Sequence, residues 1–144
     1  MPMNPAEQHA RFDKQGYSQH LGIEFDHVEE GYARLRMPVK EYHLQSAMTA
    51  HGGIVATIAD ACSAQALFTV LKDDEIFSSI ELKVNYLSPG LPGHTLIGEG
   101  RIIRRGGRIA LGDMEVTDEE SGRLVAKGLH TFLIQKDPNQ SAQK

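Results

Sequence analysis

Asp60 is the residue from which chemistry can be argued. It is the one carboxylate between Gly52 and Leu71, inside a stretch from His51 to Leu71, HGGIVATIADACSAQALFTVL, that is otherwise almost wholly apolar. A carboxylate amid that much hydrocarbon is costly unless it is paired, hydrogen-bonded or used. The head of the same stretch supplies a complementary feature. Gly52 and Gly53 let a ligand or another backbone come close, and the first N–H groups of a helix have no partner inside it. Such groups, at the positive end of a helix, favour a developing negative charge. One segment thus offers oxyanion donors and a carboxylate able to attack a carbonyl or activate water.

The spacing sets a condition. Gly52 and Asp60 are eight residues apart, about 12 Å of helix rise. A reacting carbonyl needs the donors and the carboxylate each within about 3 Å. One Asp side chain does not bridge the difference. If both groups serve one reaction, Asp60 of one subunit meets Gly52 of another, in a dimer with two composite sites. The plain alternative is an Asp60 hydrated at the mouth of the core, with no chemical part.

Several elements must position these residues. Ala56, Ala59, Ala61, Ala64 and Ala66 favour helix, and Ile54, Val55, Ile58, Leu67 and Phe68 spread apolar surface nearly all round it. That pattern predicts a helix enclosed by the fold. Ahead of it, Pro5 to Gln15 reads as a short polar helix, followed by strands from Ile23 to Val28 and from Tyr32 to Val39. Residues 40 to 50 show no period and read as a loop. After a charged exit, Lys72 to Glu75, alternation resumes at Ser79, with Ile80, Leu82, Val84 and Tyr86 on one face. Ser79, Glu81, Lys83 and Asn85 fall on the other.

Three more strands are expected, His94 to Arg104, Arg108 to Thr117 and Arg123 to Gln135, with turns at Gly106-Gly107 and Asp118 to Gly122. Strands joined by such short turns make an antiparallel meander and exclude a doubly wound parallel sheet. The expectation is an α+β fold in which a curved antiparallel sheet of about six strands wraps one long central helix. A helical segment occupies residues 1–20, the main domain 21–135, and a polar tail, expected to fray, 136–144.

Bulk properties exclude other classes. A chain of 144 residues is one domain by length. A net charge of −4 argues against a nucleic-acid binder working by general electrostatics. The single cysteine, Cys62, lies inside the apolar helix and reads as a small core residue, with no disulfide framework. The first fifteen residues lack the apolar stretch of a secretory signal. Thr57, Asp60, Ser63 and Gln65 interrupt the helix as a membrane span. No membrane association and a cytoplasmic location are expected. The seven histidines show no metal-binding spacing, so no metal is expected. GxSxG is absent, and His51 reads as structural, its ring orienting the Gly-Gly turn.

His51-Gly52-Gly53, Asp60 nine positions after the His, the run ELKVNYLSPG from Glu81 to Gly90 and the closing GRLVAKG from Gly122 to Gly128 together resemble the hotdog-fold acyl-CoA thioesterases. The similarity is to the phenylacetyl-CoA (PaaI-like) branch and spans residues 21–134. The resemblance implies a homodimer with a continuous sheet, often doubled into a tetramer, and sites at the subunit interface. It implies that the Gly52 N–H, with Gly53 beside it, polarises the thioester carbonyl, and that Asp60 of the neighbouring subunit is nucleophile or general base. Ser79, seven before Tyr86, would assist the water. Gln45, six before His51, stands where the family usually has Asn and would place the carboxylate or water. His51 and Tyr86 are further candidate substrate contacts, although Tyr86 reads as core on its spacing alone.

Arg104, Arg105 and Arg108 put three guanidinium groups at a hairpin tip, where phosphate is the natural partner. The resemblance implies that the phosphates of coenzyme A bind near this tip; the alternative is a solvated turn. Coenzyme A is then part of the substrate, and no separate cofactor is expected. The implied function is hydrolysis of acyl-CoA thioesters with an aromatic or medium-chain acyl group. The alternatives are a non-catalytic acyl-CoA binding module, a structural subunit, or an acyl-CoA hydratase or dehydratase. The last needs a histidine beside the helix carboxylate, in motifs the sequence does not contain.

Overall fold

In the computed structural model, which describes residues 4–140, the N-terminal polar stretch forms two helices, α1 (Pro5–Phe12) and α2 (Gly16–His20). A single helix to Gln15 was the expectation. Asn4 and Glu7 cap α1 reciprocally, and Pro5 stands at its start, where a missing N–H loses no intrahelical bond. Phe12, fully buried, tilts against Phe25 and fastens α1 to the domain.

The six strands are β1 (Glu24–Glu29), β2 (Tyr32–Pro38), β3 (Glu75–Tyr86), β4 (Thr95–Arg105), β5 (Ile109–Asp118) and β6 (Leu124–Lys136). They form one antiparallel sheet in the order β1-β2-β4-β5-β6-β3. The long helix α3 (Gly52–Phe68) lies across β2, β4 and β5. Gly98 and Gly100 make that contact close. A Cβ on Gly98 would fall 2.8 Å from the Ile58 side chain, and one on Gly100 2.6 Å from the Cys62 backbone. Helix and sheet therefore touch backbone to backbone, and Ile58, Ala59, Cys62 and Ala66 are sealed from solvent. Burying a side chain such as Ile58 contributes about 1.5–3 kcal/mol.

The helix stops at Phe68 rather than Leu71. Thr69 ends it, its hydroxyl donating to the Ala66 carbonyl and accepting the Gly31 N–H. Enclosure of α3 is also incomplete, because Thr57, Asp60, Ala61, Ala64 and Phe68 form a half-buried stripe. β3 begins at Glu75, earlier than alternation suggests, because Phe77 packs edge-on against Phe68 and Phe132.

The register of β3 corrects one expectation that matters for chemistry. A bulge between Ser79 and Glu81 shifts the phase of the strand. Ser79 lies opposite the buried Phe132, Leu82 opposite the buried His130, and Tyr86 opposite the buried Ala126. Ser79 thus shares the helix-side face with Leu82, Val84 and Tyr86, not the outer face with Glu81, Lys83 and Asn85.

β3 is also an edge strand, paired with β6 alone, and its apolar residues are uncovered: Ile80 is 56% exposed, Leu82 36% and Tyr86 56%. At the C-terminal end the last described residues make contacts with the segment leading into β3. Lys136 pairs with Asp74 at 2.6 Å, and the Gln140 side chain donates to the Asp73 carbonyl at 2.8 Å. Residues 141–144 of the expected tail lie outside the described residues. Among those described, no helix is long and apolar enough to cross a membrane.

Candidate active site

The head of α3 is built by histidines and a tyrosine. His51 is the N-cap, and its Nδ1 accepts the Gly53 N–H at 2.9 Å. The ring therefore takes the structural part expected of it. The His51 N–H donates to the His43 carbonyl at 2.8 Å. His43 is buried, and burial holds its pKa below the usual histidine value, so the ring is neutral. Its Nδ1 accepts the Lys40 N–H at 3.0 Å, leaving Nε2 to donate to the Leu21 carbonyl at 2.9 Å.

The turn is thereby fixed from two sides. Among the described residues the Gly52 N–H itself has no partner and is left pointing out of the helix end. Tyr86, expected as core, is more than half exposed; its hydroxyl donates to the Gly52 carbonyl at 2.9 Å. A Cβ on Gly52 would lie 3.4 Å from its ring.

Gln45 braces its own loop. Its side-chain oxygen accepts the Ala47 N–H at 3.2 Å and its nitrogen donates to Thr49 Oγ1 at 2.9 Å. Met48 in that loop takes a left-handed conformation, φ 62°.

Two turns along α3, the Asp60 carboxyl is 51% exposed, and partial desolvation raises its pKa above the ordinary carboxylate value. Its neighbour is a residue the sequence did not single out. His130, on β6, is fully buried, with Nδ1 3.9 Å from Asp60 Oδ1. Its Nδ1 lies 2.6 Å from Ser63 Oγ, and its Nε2 lies 2.7 Å from Ser79 Oγ. The single proton of Ser63 is taken up by the backbone, its hydroxyl lying 3.0 Å from both the Ala59 and the Asp60 carbonyls. Nδ1 is therefore assigned as the donor to Ser63, and Nε2 accepts the Ser79 hydroxyl.

The absence of a histidine beside the helix carboxylate is thus corrected, but this ring is not free to exchange protons with substrate. Burial pulls its pKa down to about 4, and both nitrogens are saturated by serines. The signal available in sequence was an inward-facing polar position on β6 between Gly128 and Phe132.

The low His130 pKa makes a prediction about stability. The unfolded ring takes up its proton near pH 6.5 and the folded ring only near pH 4. Stability from this group is complete above pH 6.5 and is lost as pH falls through that window, by about 3 kcal/mol. Urea unfolding between pH 7 and pH 4 measures it. His130→Gln, which bonds to serines but does not titrate, flattens this part of the acid limb.

The arginines do not converge. Arg105 faces inward opposite Ala110 and is held by an ion pair with Glu75 and a bond to the Gly106 carbonyl. Burial pushes Glu75 up, but the Arg105 hydrogen bond and the nearby Lys72 outweigh it and hold the carboxyl below its usual value. Arg104 lies on the opposite face, across from Leu111, because successive strand residues alternate. Arg104 and Arg108 are the exposed pair.

Cys62 is buried, and burial raises its thiol pKa, which suits a core residue and not a thiolate. His94, Asp118 and Glu120 bring possible metal-ligand atoms within 4.8 Å of one another. Each already has work in the turn. Asp118 accepts His94 Nδ1 and the N–H groups of Glu120 and Ser121, and Glu120 accepts the Thr95 N–H.

Residues 48–125, more than half the chain, match the thioesterase superfamily. Acyl-coenzyme A thioesterase 13 of Mus musculus is 30% identical over 95 residues, 66% of this chain and 67% of that protein. Acyl-coenzyme A thioesterase PaaI of Escherichia coli is 26% identical over 117 residues, 78% of each chain. The solved structure of E. coli PaaI, from the phenylacetic acid degradation operon, shares the fold, with a TM-score of 0.82 at 22% identity over 90% of this chain and 91% of that one. With its six-stranded antiparallel sheet and one long helix, the chain belongs to the thioesterase superfamily, as a PaaI-like member with the hotdog fold.

Proposed function

We propose that this chain hydrolyses acyl-CoA thioesters in a homodimer whose two sites each take Gly52 from one subunit and Asp60 from the other. The observation that carries the reading is the pairing, on one helix, of a Gly52 N–H with no partner among the described residues and a partly desolvated Asp60. They stand about 12 Å apart along α3, so one chain does not complete a site. The uncovered edge of β3 supports the second copy. An edge strand with free backbone groups and apolar Leu82 and Tyr86 on its inner face is a surface that a twofold copy can cover.

In this site the thioester carbonyl oxygen accepts the Gly52 N–H, a contribution of about 2.7–4 kcal/mol in the transition state. Asp60 takes a proton from the attacking water, or attacks the carbonyl carbon itself to form an anhydride that water then opens. In either course the C–S bond breaks and coenzyme A leaves as its thiol. Ser79, oriented by His130, keeps its oxygen lone pairs for the water. Heavy-oxygen water separates the two courses, because label in Asp60 after a single turnover means covalent attack.

The test of the activity is thiol release from a panel of acyl-CoA esters, aromatic and aliphatic. Turnover of one or more is the expected result. Tight coenzyme A binding without thiol release from any ester overturns hydrolysis and leaves a binding module.

A further inference from the structure

We infer that the Phe68–Phe77 pair closes the acyl pocket and sets the length of the acyl group; the inference rests on the thioesterase reading above. From Asp60 a cleft of about 370 Å³ runs along α3 between α2 and β3, with Tyr17, Ala61, Ala64, Phe68 and Phe77 among its walls. A second cleft, about 490 Å³, lies beyond the same two rings, between α1, Leu71 and Ile76. Phe68 and Phe77 are the residues that both clefts share. Their rings meet edge to face with centroids 4.9 Å apart, and together they form the partition.

Each ring is held from behind. The Arg11 guanidinium lies over Phe68, 4.6 Å from its centroid. Phe77 stands edge-on to the buried Phe132 at 5.4 Å, and Phe132 in turn packs on His130 at 3.8 Å. The wall is therefore braced against the same ring that orients Ser79.

Helix geometry converts this into a ruler. Phe68 lies eight residues past Asp60, about 12 Å of helix rise. An acyl group with its carbonyl at Asp60 passes Ala61 and Ala64, whose small side chains leave the room, and meets the aromatic wall at that distance. The near cleft holds no cation, and Asp60 is its sole charge among the described residues. Its other polar walls, Gln15, Ser18, Thr57 and Gln65, are neutral, so it suits an uncharged acyl chain or aryl group running along Ala61, Ala64 and the two rings and rejects one that ends in a carboxylate. The rim of the far cleft, by contrast, carries Arg11, Lys72 and Asp73.

The experiment is kcat/KM across saturated acyl-CoA esters from butyryl to palmitoyl, for the wild type, Phe68→Ala and Ala64→Leu. In the wild type each methylene that fits raises kcat/KM by up to about fourfold, until the wall is reached and the value drops. Phe68→Ala joins the clefts and moves the optimum to longer chains, with at least a ~10-fold gain for the longest ester relative to the shortest. Ala64→Leu narrows the near cleft and moves the optimum to shorter chains, which keeps the test decisive should Phe68→Ala not fold. An optimum that stays in place in the folded variants overturns the ruler alone. Absence of turnover for every ester in the wild type overturns the thioesterase reading instead.

Discussion

Asp60→Asn lowers kcat for thioester hydrolysis by about 10²–10⁴-fold and leaves KM nearly unchanged. Asn keeps the size and much of the hydrogen bonding of the side chain but neither takes a proton from water nor attacks a carbonyl. The loss therefore falls on the chemical step and not on binding. Steady-state thiol release on a turned-over ester measures both constants, and full kcat in the variant removes the carboxylate from either course.

The same substitution carries a stability signature of opposite sign. Desolvation raises the folded pKa of Asp60 above its unfolded value, so the folded state holds a carboxylate that water would solvate better. That cost is complete above the raised pKa and disappears as pH falls below the ordinary carboxylate range. Asp60→Asn is thus more thermostable than the wild type at neutral pH, and the advantage fades in acid. The fold alone would be better without this carboxylate, a cost that the catalytic part proposed for Asp60 accounts for.

The parts of this site that were legible in sequence are local in the chain. Gly52, Gly53 and the capping His51 are neighbours, and Asp60 follows on the same helix, so propensity and helix geometry suffice to place them. The strands were legible by alternation, and short turns set β4, β5 and β6 side by side as a meander. β3, expected to continue that meander, instead pairs with β6, and β2 pairs with β4, partners distant in the chain. What alternation missed is the bulge at Ser79, where one extra residue turns the hydroxyl from the outer face to the helix side. Nothing in the composition of Ser78-Ser79-Ile80-Glu81 announces it, because a bulge is set by how the partner strand must run.

Residues that meet only through topology were harder still. His130 reaches Ser79 across 51 positions and Ser63 across 67, and only the placement of β6 beside β3, beneath α3, brings the three together. The run Arg104, Arg105 and Arg108 gives no sign that Glu75, 30 positions away, pairs with Arg105. Tyr86 read as core for a similar reason. Its spacing is that of a buried face, but in a single chain the strand that carries it is the uncovered edge.

Gly52→Pro tests the two-chain site with the least disturbance of the fold. Proline is accepted at the first position of a helix, where its missing N–H had no intrahelical partner. His51 stands at φ −58°, ψ 138°, the extended conformation that a residue before proline prefers. The substitution removes the donor and sets the ring Cδ where the N–H hydrogen stood, crowding a carbonyl oxygen there, and kcat falls by at least about 10²–10³-fold. Asp60→Asn and Gly52→Pro are each nearly inactive alone. In a mixed dimer one site contains both defects and the other neither, because each site draws its two groups from different chains. Equal amounts, unfolded and refolded together, recover roughly a quarter of wild-type turnover, half the dimers being mixed and each having one sound site. Co-purification through a tag on one variant confirms that mixed dimers form. Mixed dimers as inactive as their parents would mean that each chain uses its own Gly52 and Asp60. The 12 Å or so of helix between them does not permit that in a single reaction, and the assignment of the pair to catalysis would fall.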